Sequence, residues 1–246
     1  MADDPQSASD AIEEPSLQSE VLVSAPRAAE KARWAEKVFI AALAVFAALA
    51  VLAHHYAYFE WDVSLARNIQ SISLPGFRAA MTAVSRLGDR WIPSALTAVT
   101  GIALIAARLR PEGIILLAGT ASGWLVNTFC KLLIARPRPT DALVNVVTIY
   151  RTDSFPSGHV VFFTEFFGFL FFLAYVLLKR GPLRFVVLIV LSSFIVLVGI
   201  SRVYLGAHWP SDVIGAYLAG GIWLMVMIKA YRRMKAKRNP ENASTL

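Results

Sequence analysis

Three short polar blocks in the second half of the chain contain side chains that could bind and transfer a phosphoryl group. They are Lys131…Arg138-Pro139, Pro156-Ser157-Gly158-His159 and Ser201-Arg202…His208…Asp212. Together the blocks supply three cations, two histidines and one carboxylate. Cations bind phosphate oxygens, and an imidazole can act as a nucleophile or move a proton. This combination of side chains predicts phosphate chemistry.

The cations of the blocks border long apolar stretches, so Lys131, Arg138 and Arg202 are expected near a membrane surface. A charge close to the bilayer is costly unless it is paired or meets water, which makes it a functional candidate. Arginine offers a planar fork for phosphate oxygens, and lysine offers a point charge. Because no comparable cluster of carboxylates lies nearby in the sequence, the three cations predict a polyanion site. Any one of them alone could be a snorkelling side chain.

The block Pro156-Ser157-Gly158-His159 stands directly before a long apolar run and predicts the start of a helix. Proline suits the first helical position, and the free N–H groups at a helix start favour an anion. The hydroxyl of Ser157 and the amides of Ser157 and Gly158 are therefore candidates for binding phosphate oxygens. A plain helix-capping role for Ser157 is the alternative.

The two histidines of the blocks are the predicted catalytic residues. His208 and Asp212 stand one helical turn apart, so the carboxylate could hold one ring nitrogen as N–H and leave the other nitrogen free to attack. We therefore predict His208 as the nucleophile and Asp212 as its orienting partner. His159 is the predicted acid that protonates the leaving oxygen. A structural role is the alternative for a lone histidine.

The composition indicates where this chemistry would take place. The chain is 57% hydrophobic and only 17% charged, with a mean hydropathy of +0.56, which is more apolar than a typical soluble domain. Six apolar runs are long enough, or nearly so, to cross about 30 Å of hydrocarbon as helices. They are residues 38–52, 91–107, 113–135, 160–178, 185–200 and 213–228. The predicted fold class is an all-α polytopic membrane protein with six transmembrane helices.

The predicted organisation is one six-helix membrane domain, residues 34–236, between a disordered cytoplasmic tail at 1–33 and a second cytoplasmic tail at 237–246. Most of the 24 Lys and Arg residues fall on the side of the two termini, which favours a cytoplasmic location for both. The net charge of +7 is therefore interpreted as membrane topology, with no nucleic-acid partner. Alternation of the helices then brings all three blocks to the outer face.

The longest predicted outer connection, residues 56–90, has apolar residues at helical spacing on both sides of a Pro75-Gly76 break. The residues concerned are Trp61, Leu65, Ile69 and Ile72, followed by Phe77, Met81 and Val84. They predict two short amphipathic helices, which could lie at the membrane interface or cap the helix bundle.

Two further charged residues have open interpretations. Arg136 could contact phosphate or a lipid headgroup, or could lie at the surface. Glu165 stands inside the fourth apolar run and is expected to face another helix and pair there, because an ionisable group at membrane depth needs a partner.

The three blocks resemble the signature of the type-2 phosphatidic acid phosphatase family, which shares a core with bacterial acid phosphatases and vanadium haloperoxidases. The family pattern is K-x6-RP, PSGH and SR-x5-H-x3-D, and all three parts are complete here, within residues 120–215. The resemblance implies a phosphohistidine on His208 and a reaction without metal or cofactor. It also implies that the phosphoryl group is held by Lys131, Arg138, Ser157, Gly158 and Arg202.

The resulting hypothesis is a phosphatase that hydrolyses a lipid phosphate or diphosphate at the outer face of a bacterial-type inner membrane. By resemblance, the candidate substrates are undecaprenyl diphosphate, phosphatidic acid, phosphatidylglycerol phosphate and the phosphates of lipid A. Two other functions stay open at this point. One is a phosphotransferase that passes the phosphate to a lipid acceptor, and the other is a non-catalytic transporter or scaffold.

Overall fold

A computed structural model describes residues 17–238, and this part of the chain contains eight α-helices and no strand. The helices are α1 (Leu17–His55), α2 (Glu60–Gln70), α3 (Phe77–Arg86), α4 (Ile92–Ala106), α5 (Arg110–Ile134), α6 (Gly158–Leu177), α7 (Pro182–Tyr204) and α8 (Pro210–Arg238). The all-α prediction is therefore confirmed. Each of the six apolar runs lies within, or largely within, one helix.

Five of the described helices contain a stretch that is long and apolar enough to cross a membrane. These stretches are Arg33–His55, Arg110–Ile134, Gly158–Leu177, Pro182–Tyr204 and Pro210–Lys237. The remaining apolar helix, α4, has only 15 residues. At 1.5 Å per residue it is about 22 Å long, which is shorter than a typical hydrocarbon core.

The described part of the chain divides into two compact units, residues 17–41 and 42–238. Helix α1 already begins at Leu17, so residues 17–33 are helical where a disordered tail was expected. The segment is rich in Ala, Glu, Lys and Arg, which are strong helix formers. Helix α8 likewise continues to Arg238. The rest of the predicted tails, residues 1–16 and 239–246, lies outside the described residues.

Helix α6 forms the centre of the second unit and packs against α5, α7 and α8. Its phenylalanines Phe163, Phe166, Phe167 and Phe169 are buried in the main hydrophobic cluster. Such a helix is apolar on every side, as expected for an element surrounded by other helices. The short helices α2 and α3 both pack on α7, which confirms that residues 56–90 contain two helices. In α2, Trp61 and Leu65 stay exposed, whereas Ala66 is buried.

Glu165 lies on the buried side of α6 and faces α5, as predicted. Its carboxylate takes the space that a side chain at position 123 would need, so Gly123 makes room for it. The expected ion pair is not formed: within residues 17–238 the carboxylate of Glu165 has no salt bridge.

The polar blocks lie together because α5 and α7 end, and α6 and α8 begin, at the same end of the unit. Helix α5 ends at Ile134, its capping residue Ala135 has a left-handed φ of 50°, and Pro137 and Pro139 cannot continue a helix. Helix α8 begins at Pro210, which is a favoured first helical position. The last turns of α5 and α7 and the first turns of α6 and α8 therefore meet at the same end of the unit.

Candidate active site

All eight residues predicted for the site belong to this common end of α5, α6, α7 and α8. Lys131 and Arg202 lie in the last turns of α5 and α7, and Asp212 lies in the first turn of α8. Gly158 and His159 begin α6 after the capping residue Ser157. Arg138 and His208 belong to the loops before α6 and α8. The contacts described next connect them into one cluster.

His208 is buried, and its two ring nitrogens face different partners. The Nε2 atom lies 3.2 Å from Nη1 of Arg138, and the Nδ1 atom lies 3.4 Å from Oγ of Ser154. A guanidinium group can only donate hydrogen bonds, so Nε2 accepts and the ring proton is on Nδ1. This tautomer leaves the Nε2 lone pair on the side of the cations.

The relation between His208 and Asp212 differs from the predicted direct hydrogen bond. Nδ1 of His208 is 3.6 Å from Oδ2 of Asp212, which is too long for a hydrogen bond. Ser154 lies between them, and its hydroxyl donates to Oδ2 of Asp212 at 2.5 Å. The backbone N–H of Trp209 donates to the same oxygen at 2.9 Å. The carboxylate therefore reaches the imidazole through a serine that the sequence analysis missed.

Arg136 is fully buried and bridges two carboxylates, so neither predicted location, at the surface or on phosphate, is correct. Its Nη1 lies 2.6 Å from Oδ1 of Asp212, and its Nη2 lies 3.0 Å from Oδ2 of Asp62 in α2. Asp62 also accepts hydrogen bonds from the backbone and the hydroxyl of Ser211 at 2.8 and 2.7 Å. A buried charge is tolerated when it is paired in this way.

The three predicted cations surround the same space. Lys131 donates to the carbonyl of Asp153 at 2.5 Å, and Arg138 donates to the carbonyls of Thr152 and Ala207 at 2.6 and 2.7 Å. Arg202 is buried and donates through Nη1 to the hydroxyl of Ser85. These partners are mostly neutral, so the positive charges are not cancelled by adjacent carboxylates.

The loop residue Tyr150 separates two of these cations. The guanidinium groups of Arg138 and Arg202 each lie 4.8 Å from the centre of its ring, within the range of a cation–π interaction. Burial, followed by the charge of Arg202, lowers the pKa of Arg138 to about 10. Arg138 therefore remains charged at neutral pH. The ring of Tyr150 lets the two charged guanidinium groups lie close together.

His208 lies in this positive environment. Burial lowers the pKa of His208 well below its ordinary value, and the charges of Arg138 and Lys131 lower it further. All these causes disfavour the imidazolium form. The ring is therefore neutral at pH 7, with its unprotonated Nε2 facing Arg138.

Several buried donors of the site have no protein partner within residues 17–238. They are the hydroxyl of Ser157 and the Nε and Nη2 groups of Arg202. Buried donors are normally satisfied, so these groups could hold the oxygens of a bound phosphate. The amide of Ser157, also predicted as a donor, is directed to the carbonyl of Asp212 at 3.4 Å. Across the described range, no group of three or more His, Cys, Asp or Glu residues is arranged to hold a metal ion.

His159 contacts a second carboxylate that the sequence analysis missed. Its Nε2 lies 2.9 Å from Oδ1 of Asp89, in the turn between α3 and α4. The hydroxyl of Tyr150 donates to the same oxygen at 3.2 Å. Gly88 lies against the imidazole, where a β-carbon would collide with the ring. Only a Gly-Asp turn after an amphipathic helix marks this place in the sequence.

Comparisons with known proteins identify the family. Residues 112–235 match the family described as the PAP2 superfamily. The chain is 30% identical to phosphatidylglycerophosphatase B of Bacillus subtilis over 191 residues, covering 76% of this chain and 90% of that protein. It is 32% identical to an undecaprenyl-diphosphatase of Sulfolobus acidocaldarius over 170 residues, covering 67% of this chain and 75% of that protein.

A solved structure gives the same result. The crystal structure of a transmembrane PAP2-type phosphatidylglycerolphosphate phosphatase from Bacillus subtilis superposes with a TM-score of 0.68 at 27% identity. The superposition covers 82% of this chain and 98% of that one. The family resemblance seen in the three blocks is thus confirmed, and the chain belongs to the PAP2 superfamily as a membrane-embedded phosphatase.

Proposed function

We propose that the protein hydrolyses a lipid phosphate through a phosphohistidine formed on Nε2 of His208. The observation that carries the proposal is the orientation of this ring. Nδ1 faces the Ser154–Asp212 pair, and Nε2 faces Arg138 at 3.2 Å. A neutral imidazole whose unprotonated nitrogen lies beside cations is suited to attack phosphorus once the phosphate takes over the hydrogen bond from Arg138.

In the first step, Nε2 of His208 forms a bond to phosphorus, and the bond from phosphorus to the leaving oxygen breaks. The imidazolium form of His159 gives its Nε2 proton to that oxygen, so the leaving oxygen departs as a hydroxyl group. The negative charge on the phosphoryl oxygens is held by the cations and small donors of the site. These are Lys131, Arg138, Ser157, Gly158 and Arg202.

In the second step, water attacks the phosphohistidine and releases inorganic phosphate. His159, now neutral, accepts a proton from that water, which returns both histidines to their starting forms. Ser154 and Asp212 hold the proton on Nδ1 of His208 throughout the cycle. Fixed cations supply the charge stabilisation in both steps, so the proposed reaction takes place without a metal.

The proposed setting is the outer face of a bacterial-type inner membrane, with both termini in the cytoplasm. The excess of Lys and Arg around the termini supports this orientation. The helical bundle would let the lipid tail stay in the bilayer while the phosphate enters the polar end of α5–α8. The candidate substrates remain phosphatidic acid, phosphatidylglycerol phosphate, undecaprenyl diphosphate and lipid A phosphates.

The direct test is a phosphate-release assay on purified protein in detergent with these four lipid classes. The wild-type protein should release phosphate from at least one class, and His208→Ala should release none. His55→Ala is the matched control, because His55 is exposed and lies outside the cluster. Label that appears on an added lipid instead of as free phosphate would identify a phosphotransferase and contradict the hydrolase.

The intermediate can be tested separately. A short incubation with a lipid carrying ³²P in the transferred phosphate, followed by quenching in alkali, should leave label on the protein. The label should be lost in acid, as expected for a phosphorus–nitrogen bond, and absent from His208→Ala. Acid-stable label, or label on His208→Ala, would overturn the nucleophile assignment.

A further inference from the structure

Asp89 places a carboxylate at the reactive nitrogen of the proposed acid. Its Oδ1 lies 2.9 Å from Nε2 of His159, and its side chain is 31% exposed. The hydrogen bond from His159 holds the pKa of Asp89 below its ordinary value, so the group is a carboxylate at neutral pH. Because a carboxylate only accepts hydrogen bonds, the proton of this pair is on Nε2 of His159.

This Nε2 proton is the one that His159 transfers to the leaving oxygen in the proposed first step. An oxygen that receives it must come within about 3 Å of Nε2, and it therefore arrives beside Asp89. The negative charge of Asp89 thus lies on the leaving-group side of the site. The cations Lys131 and Arg138 contact the loop before α6, through the carbonyls of Asp153 and Thr152.

Two physical effects of this carboxylate both favour a lipid monoester over a lipid diphosphate. First, Asp89 stabilises the protonated form of His159, which helps most when the leaving oxygen is a strongly basic alkoxide. Second, Asp89 repels a leaving group that is itself an anion. A lipid monoester loses an alcohol and benefits from the first effect. A lipid diphosphate loses a phosphate, which needs little protonation and experiences the repulsion.

The other charged or titratable groups around His159 contact Asp89 or Tyr150, or are exposed to solvent. Tyr150 donates to Oδ1 of Asp89, and Arg202 and Arg138 stack on the ring of Tyr150. Arg86 and Arg90 flank the same turn but are exposed, so solvent screens their attraction for an anion. Asp89 is the charged group in direct contact with Nε2 of His159.

We infer that Asp89 is a specificity-determining residue that selects a lipid phosphomonoester, with an alcohol leaving group, over a lipid diphosphate. The inference rests on the proposed function, because it needs His159 as the acid. It names the substrate class of that same site.

The test compares farnesyl phosphate with farnesyl diphosphate, which share one tail and differ in the leaving group. The measured quantity is the ratio of kcat/KM for the monophosphate to kcat/KM for the diphosphate. The wild-type ratio should exceed one, and Asp89→Asn should lower it about tenfold or more, mainly through the monophosphate. Asp89→Glu, which keeps the charge, should stay closer to the wild type. Glu60→Gln removes an exposed carboxylate in α2 and should leave the ratio unchanged.

The alkaline side of the pH profile, where the acid loses its proton, is a second readout. With farnesyl phosphate, Asp89→Asn should confine activity to lower pH than the wild type, because loss of the carboxylate makes protonated His159 harder to form. If Asp89 had a purely structural role, Asp89→Asn would lower kcat/KM equally for both substrates and leave the pH profile unchanged.

An unchanged ratio in Asp89→Asn would overturn the inference. A wild-type protein that prefers the diphosphate would overturn it as well, without any variant. These outcomes differ from failure of the proposed function, in which wild type and His208→Ala would release equal phosphate from both substrates.

Discussion

The guanidinium group of Arg136 lies 2.6 Å from the carboxylate of Asp212, and neither side chain is exposed. The same guanidinium contacts Asp62 at 3.0 Å, so one cation balances two buried anions from α2 and α8. Removal of one member of a buried ion pair is far more costly than the net worth of the pair, because the partner charge stays behind.

Replacement of Arg136 by Met should therefore destabilise the fold strongly. Two carboxylates would lose their counter-ion, and a loss of about 3–5 kcal/mol in the free energy of unfolding is expected. Denaturant unfolding in mixed micelles measures it. Arg151→Met is the matched control, because Arg151 is exposed in the loop before α6. Equal stability of the two variants would contradict the bridging role.

Replacement of Ser154 by Ala should slow the reaction while the protein stays folded. The hydroxyl donates to Asp212 at 2.5 Å and faces Nδ1 of His208. Loss of a hydrogen bond to a charged group is worth about 1.5–3 kcal/mol, or about tenfold to a hundredfold in kcat. Ser192→Ala, which removes a hydroxyl bonded only to backbone in α7, should be near wild type. The prediction fails if both variants keep full activity.

Replacement of Ser157 by Ala should weaken the binding of a phosphate analogue without lowering the stability of the fold. The buried hydroxyl of Ser157 has no protein partner within the described range, so its loss removes no internal hydrogen bond and the melting temperature should not fall. If the hydroxyl holds a phosphoryl oxygen, inhibition by orthovanadate should weaken about tenfold. A large drop in melting temperature with unchanged vanadate inhibition would indicate a structural role instead.

The ring of His208 should remain neutral at pH 6, where an ordinary histidine with a pKa of about 6.5 is mostly protonated. Nitrogen-15 spectra of a His54→Ala, His55→Ala, His159→Ala variant would report this ring alone, because the chain has four histidines. The same protein unfolded in denaturant is the control. Protonation at the ordinary midpoint in the folded protein would contradict the cationic environment of the ring.

The lowered pKa of His208 also makes the free energy of unfolding depend on pH. The folded-state pKa of His208 is depressed, so the unfolded chain binds more protons as the pH falls below about 6.5, and stability decreases there. His208→Gln cannot take up that proton and should lose less stability over the same interval. Denaturant unfolding at pH 7.5 and at pH 5.5 measures the difference.

Replacement of Gly88 by Ala should disturb the acid without touching the nucleophile. A β-carbon at this position would lie 2.9 Å from Cγ of His159 and closer still to Cδ2, so the ring must move away from Asp89. Hydrolysis of monoesters should fall, whereas label on His208 from a diphosphate should still form. Gly221→Ala is the control, because nothing lies within 4 Å of its β-carbon. Equal monoester activity in both variants would contradict the contact.

The helices and the cluster of eight residues could be predicted from the sequence because both depend on local patterns. Apolar runs define the helices, and alternation across a bilayer brings Lys131, Ser157 and His208 together without knowledge of any contact. The blocks are also short, so His208 and Asp212 stay close in space although His208 lies in the loop before α8.

The partners of these residues could not be predicted, because they come from distant segments. Asp62 and Ser211 are 149 positions apart, and Asp89 lies 70 positions before His159. Nothing in the pattern of α2 or α3 indicates which polar residue turns towards the site. The same reason explains the wrong placement of Arg136, whose two partners belong to opposite halves of the chain.

The shortness of α4 has a consequence for the lipid that enters the site. If α4 crosses the bilayer, its length of about 22 Å is in hydrophobic mismatch with a core of about 30 Å, and the bilayer would thin around it. Helix α4 begins at Ile92, directly after the turn that contains Asp89. Membrane deformation around α4 would bring lipid headgroups down to the level of His159, so a phosphate could reach the acid while its chains remain dissolved in hydrocarbon.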